Sequence, residues 1–255
     1  RVNGNTDLWT IDNSEHGTLQ RLTTDQAAEI WPLWSPDGSR IAFSSGRRGG
    51  GFYSLYETTF GRAGAERAIF STEDNVVATD WSRDNKYILF QWQSRQRAPR
   101  DVWAIAADGD GKAIQITNTP ADETVAKVSP DGHWMAYLSS ASGTGQDVFV
   151  RSFPDEGREW RISTAGGTAP MWNGDGRELF YVDREAHLMA VSITPPAKGG
   201  GVLEHGHPRL LFTLTQGSTF EPARDGQKFL VNAVIDETRT SPIAVILNWR
   251  PAAKR

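Results

Sequence analysis

The residues of this 255-residue chain that could do chemistry recur at a nearly fixed spacing. Asp stands at 37, 84, 131, 175 and 225, so successive copies lie 47, 47, 44 and 50 residues apart. The surrounding segments are Trp34-Ser35-Pro36-Asp37-Gly38, Trp81-Ser82-Arg83-Asp84-Asn85, Val128-Ser129-Pro130-Asp131-Gly132, Trp172-Asn173-Gly174-Asp175-Gly176 and Pro222-Ala223-Arg224-Asp225-Gly226. Five carboxylates could form a ring of acids, bases or cation ligands. Their neighbours argue for a turn in every copy instead. Pro presets φ, Asp bonds its own downstream backbone, and Gly supplies a positive φ. Asn85 can replace Gly because Asn tolerates the left-handed region. A catalytic group is not needed five times, whereas a turn is. Asp37, Asp84, Asp131, Asp175 and Asp225 are therefore expected to be structural.

Other candidate chemistry is thinner. Asp108-Gly109-Asp110-Gly111 has the start of a calcium loop but neither its remaining ligands nor its distal Glu, and it falls where a hairpin tip is due. His205-Gly206-His207 offers two imidazoles with no carboxylate or Cys beside them, which suits an exposed loop better than a metal site. His16, His133 and His187 are scattered among different copies. No Gly-x-Ser-x-Gly elbow presents a serine nucleophile, and the absence of Cys removes thiol catalysis and thiolate ligands. The expectation is no catalytic residue, no metal and no cofactor.

The elements that position these residues are short strands. One precedes each Asp turn, as in Ile30–Trp34, and one follows it, as in Arg40–Ser44. A third often begins with Asp: Asp7–Ile11, Ser54–Tyr56, Asp101–Ile105, Asp147–Val150, His187–Val191 and residues 243–247. A fourth closes each copy: Gln20–Thr23, Arg67–Phe70, Ile114–Thr117, Trp160–Ser163 and Arg209–Phe212. No stretch sustains a 3.6-residue apolar period, so no helix is expected. Four strands per unit, with a period between about 20 and 50 residues, indicate an all-β propeller of four-stranded antiparallel blades. The strand count favours six blades with one incomplete over five, all within a single domain spanning 1–255. The opening Arg1-Val2-Asn3-Gly4 reads as the middle of a longer chain, so a fragment lacking upstream sequence is expected. Pro195–Gly201 reads as a flexible insertion in a hairpin.

Composition narrows the partners. Net charge is −4, so no global basic field draws the chain to nucleic acid or an anionic membrane. Ten Trp and eleven Phe suffice for a core without disulfides. A monomer is expected.

In such a blade order, the loops from second to third strand and from fourth to the next first strand open on one face. The former carry Arg47, Arg48, Arg95, Arg97 and Arg100. The latter carry Glu29, Asp122 and Glu123, along with Asp25, Glu73 and Asp74, and Trp31 and Trp92 lie close by in sequence. Loops on rigid scaffolds carry function, and Arg and Trp are favoured at binding hot spots. This face is the candidate binding surface for a protein or small ligand.

Trp34–Gly38 with Ile41-Ala42-Phe43, then Asp-Leu-Trp and Arg-Leu-Thr, resembles the TolB-type, WD-like propeller repeat of bacterial proteins over nearly the whole chain. Phe220–Asn232 and the run 241–249 resemble the end of propellers appended to bacterial receptor-type serine/threonine kinases. The resemblance implies a non-catalytic recognition or sensor module of a larger signalling protein, periplasmic or otherwise extracytoplasmic. No glycine-rich nucleotide loop, His-Arg-Asp or Asp-Phe-Gly is present, so the chain itself should not transfer phosphate. The alternative is the propeller part of a serine peptidase, or a propeller hydrolase.

Overall fold

The computed structural model describes residues 6–11, 17–62, 64, 66–96, 99–109, 111–143, 145–155, 157–196, 202–215, 217–232 and the backbone of 244–246. The described residues form strands and turns without a helix, and none of them builds a helix long and apolar enough to cross a membrane. The chain divides into two compact units, Arg1–Thr124 and Val125–Arg255.

In the first unit, β1 (Trp9–Ile11) and β2 (Leu19–Arg21) form a two-stranded antiparallel sheet. A four-stranded sheet follows, made of β3 (Glu29–Trp34), β4 (Arg40–Ser45), β5 (Ser54–Thr59) and β6 (Arg67–Phe70) in sequence order. The next contains β7 (Asn75–Trp81), β8 (Tyr87–Gln93), β9 (Asp101–Ala106) and β10 (Ala113–Gln115).

β11 (Glu123–Val128) leads into the second unit. It pairs with β12 (Trp134–Ser139), which continues to β13 (Asp147–Ser152) and β14 (Glu159–Arg161). The following sheet has β15 (Thr168–Trp172), β16 (Glu178–Val182) and β17 (His187–Thr194), with β18 (Glu204–His205) and β19 (Arg209–Thr213) both on β17. β20 (Thr219–Pro222), β21 (Phe229–Asn232) and β22 (Ala244–Ile246) form a three-stranded sheet.

The second strand of each sheet carries the core. Ile41-Ala42-Phe43, Ile88-Leu89-Phe90 and Met135-Ala136-Tyr137 are essentially inaccessible to solvent. These runs are apolar on successive residues, and both faces of each of these second strands are shielded from water. In the first unit Ala42 and Leu55 of one sheet pack with Val76, Trp81, Phe90 and Ile105 of the next. In the second, Leu138 and Val150 meet Leu179 and Val191, while Phe180 and Leu188 meet Phe220 and Phe229. Each such side chain contributes roughly 1.5–3 kcal/mol by leaving water.

The five Asp turns share one geometry. The backbone N–H of Gly38, Asn85, Gly132, Gly176 and Gly226 donates to the carbonyl three residues earlier, at 2.8–3.0 Å, and all five adopt φ between 61° and 75°.

Two details depart from the strand pattern read in the sequence. First strands are bulged rather than straight. Pairing slips between Ile30 and Leu33, between Ala78 and Asp80, and between Thr168 and Met171. Trp31, Val125 and Ala169 adopt positive φ near 50° within the first strands β3, β11 and β15. Such bulges insert an extra residue and redirect the strand. β17 also runs on to Thr194, because Ile193 continues the buried alternation, and β18 pairs with that extension. His205 therefore sits on a strand rather than in the expected loop, although it remains exposed. Of the expected insertion at 195–201, residues 197–201 lie outside the described residues.

Candidate functional site

Each turn Asp is occupied by its own hairpin. One carboxylate oxygen of Asp37, Asp84, Asp131, Asp175 and Asp225 accepts the N–H two residues on, from Ser39, Lys86, His133, Arg177 and Gln227. Three of the turns contain a second player that the sequence reading overlooked. The Ser35, Ser82 and Ser129 hydroxyls donate to Asp37, Asp84 and Asp131 at 2.5–2.7 Å. The same hydroxyls accept the N–H of Arg40, Tyr87 and Trp134. At Asp37 the Ser35 hydroxyl, helped by the Ser39 N–H and hydroxyl, pulls the carboxyl pKa down to about 2.

A further recurrent clasp ties the third strand to the fourth. Thr23 Oγ1, Thr117 Oγ1 and Ser163 Oγ accept the N–H of Leu8, Val102 and Val148, each across a separation of 15 residues. In the same three copies the Asp at the head of the third strand bonds the residue 14 positions later: Asp7 with Arg21 at 2.8 Å, Asp101 with Gln115 at 3.1 Å, Asp147 with Arg161 at 2.6 Å. The constant separation was the available signal. Burial raises the Asp101 pKa despite Gln115, whereas at Asp147 the Ser142 and Ser163 hydroxyls overcome burial and lower it.

The candidate binding residues separate into three groups. Glu29 and Glu123 are buried at the starts of β3 and β11, so they are not presented to a partner. Glu29 is held by Arg47 at 2.7 Å, and Arg47 also reaches Glu66 at 3.2 Å, Asp25 at 3.6 Å and the Tyr56 ring at 4.5 Å. Those carboxylates outweigh burial and raise the Arg47 pKa. Arg100 and Asp122 clasp each other. The Arg100 N–H and guanidinium both donate to Asp122, whose pKa falls in consequence. Glu123 N–H donates to Arg100 O, as Val76 N–H does to Tyr53 O and Glu29 N–H to Thr6 O, so these residues stitch three first strands to the start of the preceding third strand. Trp92 donates its indole N–H to Asp74 and packs on Trp103 and Phe70.

The remaining residues face solvent. Arg48 and Arg95 both reach Glu73, at 3.4 and 3.1 Å, and the Arg95 guanidinium lies 4.6 Å above the Phe52 ring. All three charged side chains are close to or more than half exposed. Trp31, 53% exposed, meets Tyr53 edge-on at 6.4 Å. Arg97 lies outside the described residues.

Asp108 pairs with Arg40 at 2.8 Å, and Asp110 lies outside the described residues. His205 bonds the adjacent Gly206 carbonyl. The sequence reading left His187 isolated. Among the described residues, its imidazole instead comes together with the carboxylates of Asp183 and Glu185.

No protein-family model matches the chain. A TolB homologue of Chlorobium luteolum is 28% identical over 139 residues, covering 52% of this chain and 29% of that protein. The crystal structure of TolB from Acinetobacter baumannii superposes with a TM-score of 0.65 at 17% identity, over 84% of this chain and 50% of that one. This chain carries a TolB-like propeller fold. It spans 29% of the Chlorobium homologue and 50% of the Acinetobacter TolB. The same fold occurs in an enzyme, an oligogalacturonate lyase, with a TM-score of 0.66 at 13% identity over 92% of this chain and 66% of the lyase.

Proposed function

We propose that this TolB-like propeller is a non-catalytic recognition or sensor module that binds a protein partner through the exposed loops of its first unit. The observation that carries the reading is the Arg48–Glu73–Arg95 chain over Phe52, with Trp31 edge-on to Tyr53, the residue after Phe52. Exposed ion pairs add little to stability, so stability alone gives little reason to hold three long charged side chains together. Exposed Arg and Trp on a rigid scaffold are the side chains that anchor partners. In this reading the module is monomeric, carries six blades with β1 and β2 as the third and fourth strands of an incomplete one, and belongs to a larger extracytoplasmic signalling protein. The sequence resemblance to TolB-type and receptor-kinase propellers supports that setting.

Photo-crosslinking groups placed at Arg48, Glu73 and Arg95, and for comparison beside the Asp37, Asp84 and Asp131 turns, test the surface in the native bacterium. Adducts to a discrete protein from the first set alone are expected. Adducts from the turn set alone would move the binding surface elsewhere.

The lyase among the structural neighbours is the reason to keep an enzymatic reading in play. Incubation with oligogalacturonates, a fluorogenic peptide panel, and ATP with protein substrates is expected to give background rates. Turnover abolished by one point substitution would establish a catalyst.

A further inference from the structure

Val182-Asp183-Arg184-Glu185-Ala186-His187 connects β16 to β17, with ligand-type side chains on every second residue. The turn gathers all three. Ala186 N–H donates to Asp183 O at 3.3 Å, and Ala186 adopts φ 63°, a left-handed conformation that returns the chain so that His187 lies over Asp183. One Asp183 oxygen accepts the N–H of Glu185 and of His187, at 2.9 and 2.8 Å, which fixes the carboxylate. Its other oxygen is 3.0 Å from His187 Nδ1, and Glu185 Oε2 is 3.8 Å from the same nitrogen. One ligand atom from each side chain lies within 4.8 Å of the other two.

From this geometry we infer that Asp183, Glu185 and His187 form a binding site for a zinc-class divalent cation. Metal–ligand bonds of about 2.0–2.2 Å place the donors of one tetrahedral centre roughly 3.4 Å apart, a value that the observed 3.0 and 3.8 Å bracket. Glu185 is 77% exposed on its side chain and free to close the remaining gap. An imidazole nitrogen with two carboxylate oxygens favours zinc over magnesium or calcium, which take all-oxygen shells. Three protein ligands leave a fourth position for a non-protein group. Room for one is at hand. Asp183 and Arg184 line two adjoining cavities of about 270 and 350 Å³, and in the wall of the first the Ser218 hydroxyl oxygen is buried without a hydrogen-bond partner. The competing account is a hairpin clasp made by Asp183 and His187 alone, in which Glu185 has no role.

Glu185 separates the two. Zinc is titrated calorimetrically into the tag-free chain, and bound metal is counted after dialysis, with magnesium in parallel. The site predicts one zinc per chain, no competition from magnesium, and affinity about tenfold or more weaker in Glu185→Gln. Glu185→Gln should melt as the metal-free wild type does, which separates lost ligation from lost folding. His187→Ala should bind no zinc, and the double variant His205→Ala/His207→Ala should bind as the wild type does. Absence of saturable zinc binding, wild-type affinity in Glu185→Gln, or loss of binding in the His205/His207 variant would each overturn the inference.

Discussion

Arg47 Nη2 donates to Glu29 Oε1 across 2.7 Å, and Glu29 is wholly buried. The pair joins the β4–β5 loop to the start of β3, with Ser45 donating to the same oxygen at 3.3 Å. Removing the cation leaves a buried carboxylate without its counter-charge. Arg47→Ala is therefore expected to cost about 3–5 kcal/mol. The same substitution in a Glu29→Gln background should cost much less. Chemical denaturation of the four proteins of this cycle measures both, and equal losses in the two backgrounds would show that the pair is not coupled.

Asp131→Ala should lower stability without touching ligand binding. It removes bonds from the His133 N–H and the Ser129 hydroxyl, for a loss on the order of 1 kcal/mol. Ser129→Ala should cost a similar amount, because it also strips the acceptor from the Trp134 N–H. The double variant should lose less than the sum, since the two residues share a bond. Thermal unfolding reads the stability side. An unchanged melting temperature with lost binding would make Asp131 a ligand contact.

Asp37 should make part of the stability acid-sensitive. Its folded pKa of about 2 lies below the ordinary carboxyl value of 3.8 that it regains on unfolding. A depressed carboxyl pKa stabilises the fold above the unfolded value, and that contribution fades as pH falls from about 4 to 2. Carboxyl-carbon NMR titration should find Asp37 ionised well below pH 3.8, and Ser35→Ala should move its pKa back up.

Protection should follow sheet completeness. Trp9–Ile11 sit in a two-stranded sheet, whereas β9 has β8 and β10 on either side. Amides of Trp9–Ile11 should exchange faster than those of Asp101–Ala106. Equal protection would mean that β1 is held by more than β2.

The fold was legible because turn chemistry repeats. Asp and the residue after it recur five times, and each apolar run behind them fills a second strand. The first-strand bulges were not legible. Trp31, Val125 and Ala169 take positive φ although none is a residue that favours it, so tertiary packing and not local preference sets them there. The candidate surface was legible only in part. Sequence position put Glu29, Arg48 and Glu123 in loops of the same face, but burial divides them. Glu29 and Glu123 point inward at the starts of first strands, whereas Arg48 extends from a glycine-rich loop. The Asp183–His187 cluster was missed because its three members are unremarkable apart and meet only through the left-handed turn at Ala186.

The clasp between third and fourth strands bears on how such a chain could have grown. Both halves of each clasp lie 15 residues apart within one copy, at 8 and 23, 102 and 117, and 148 and 163. A duplicated stretch of coding sequence would thus bring its own fastening with it. The copy spanning Asp131 to Asp175 is 44 residues long and that from Asp84 to Asp131 is 47, yet the clasped interval is the same in both. Between these two copies length differs only outside the clasped interval, where insertion and deletion leave the strand pair closed.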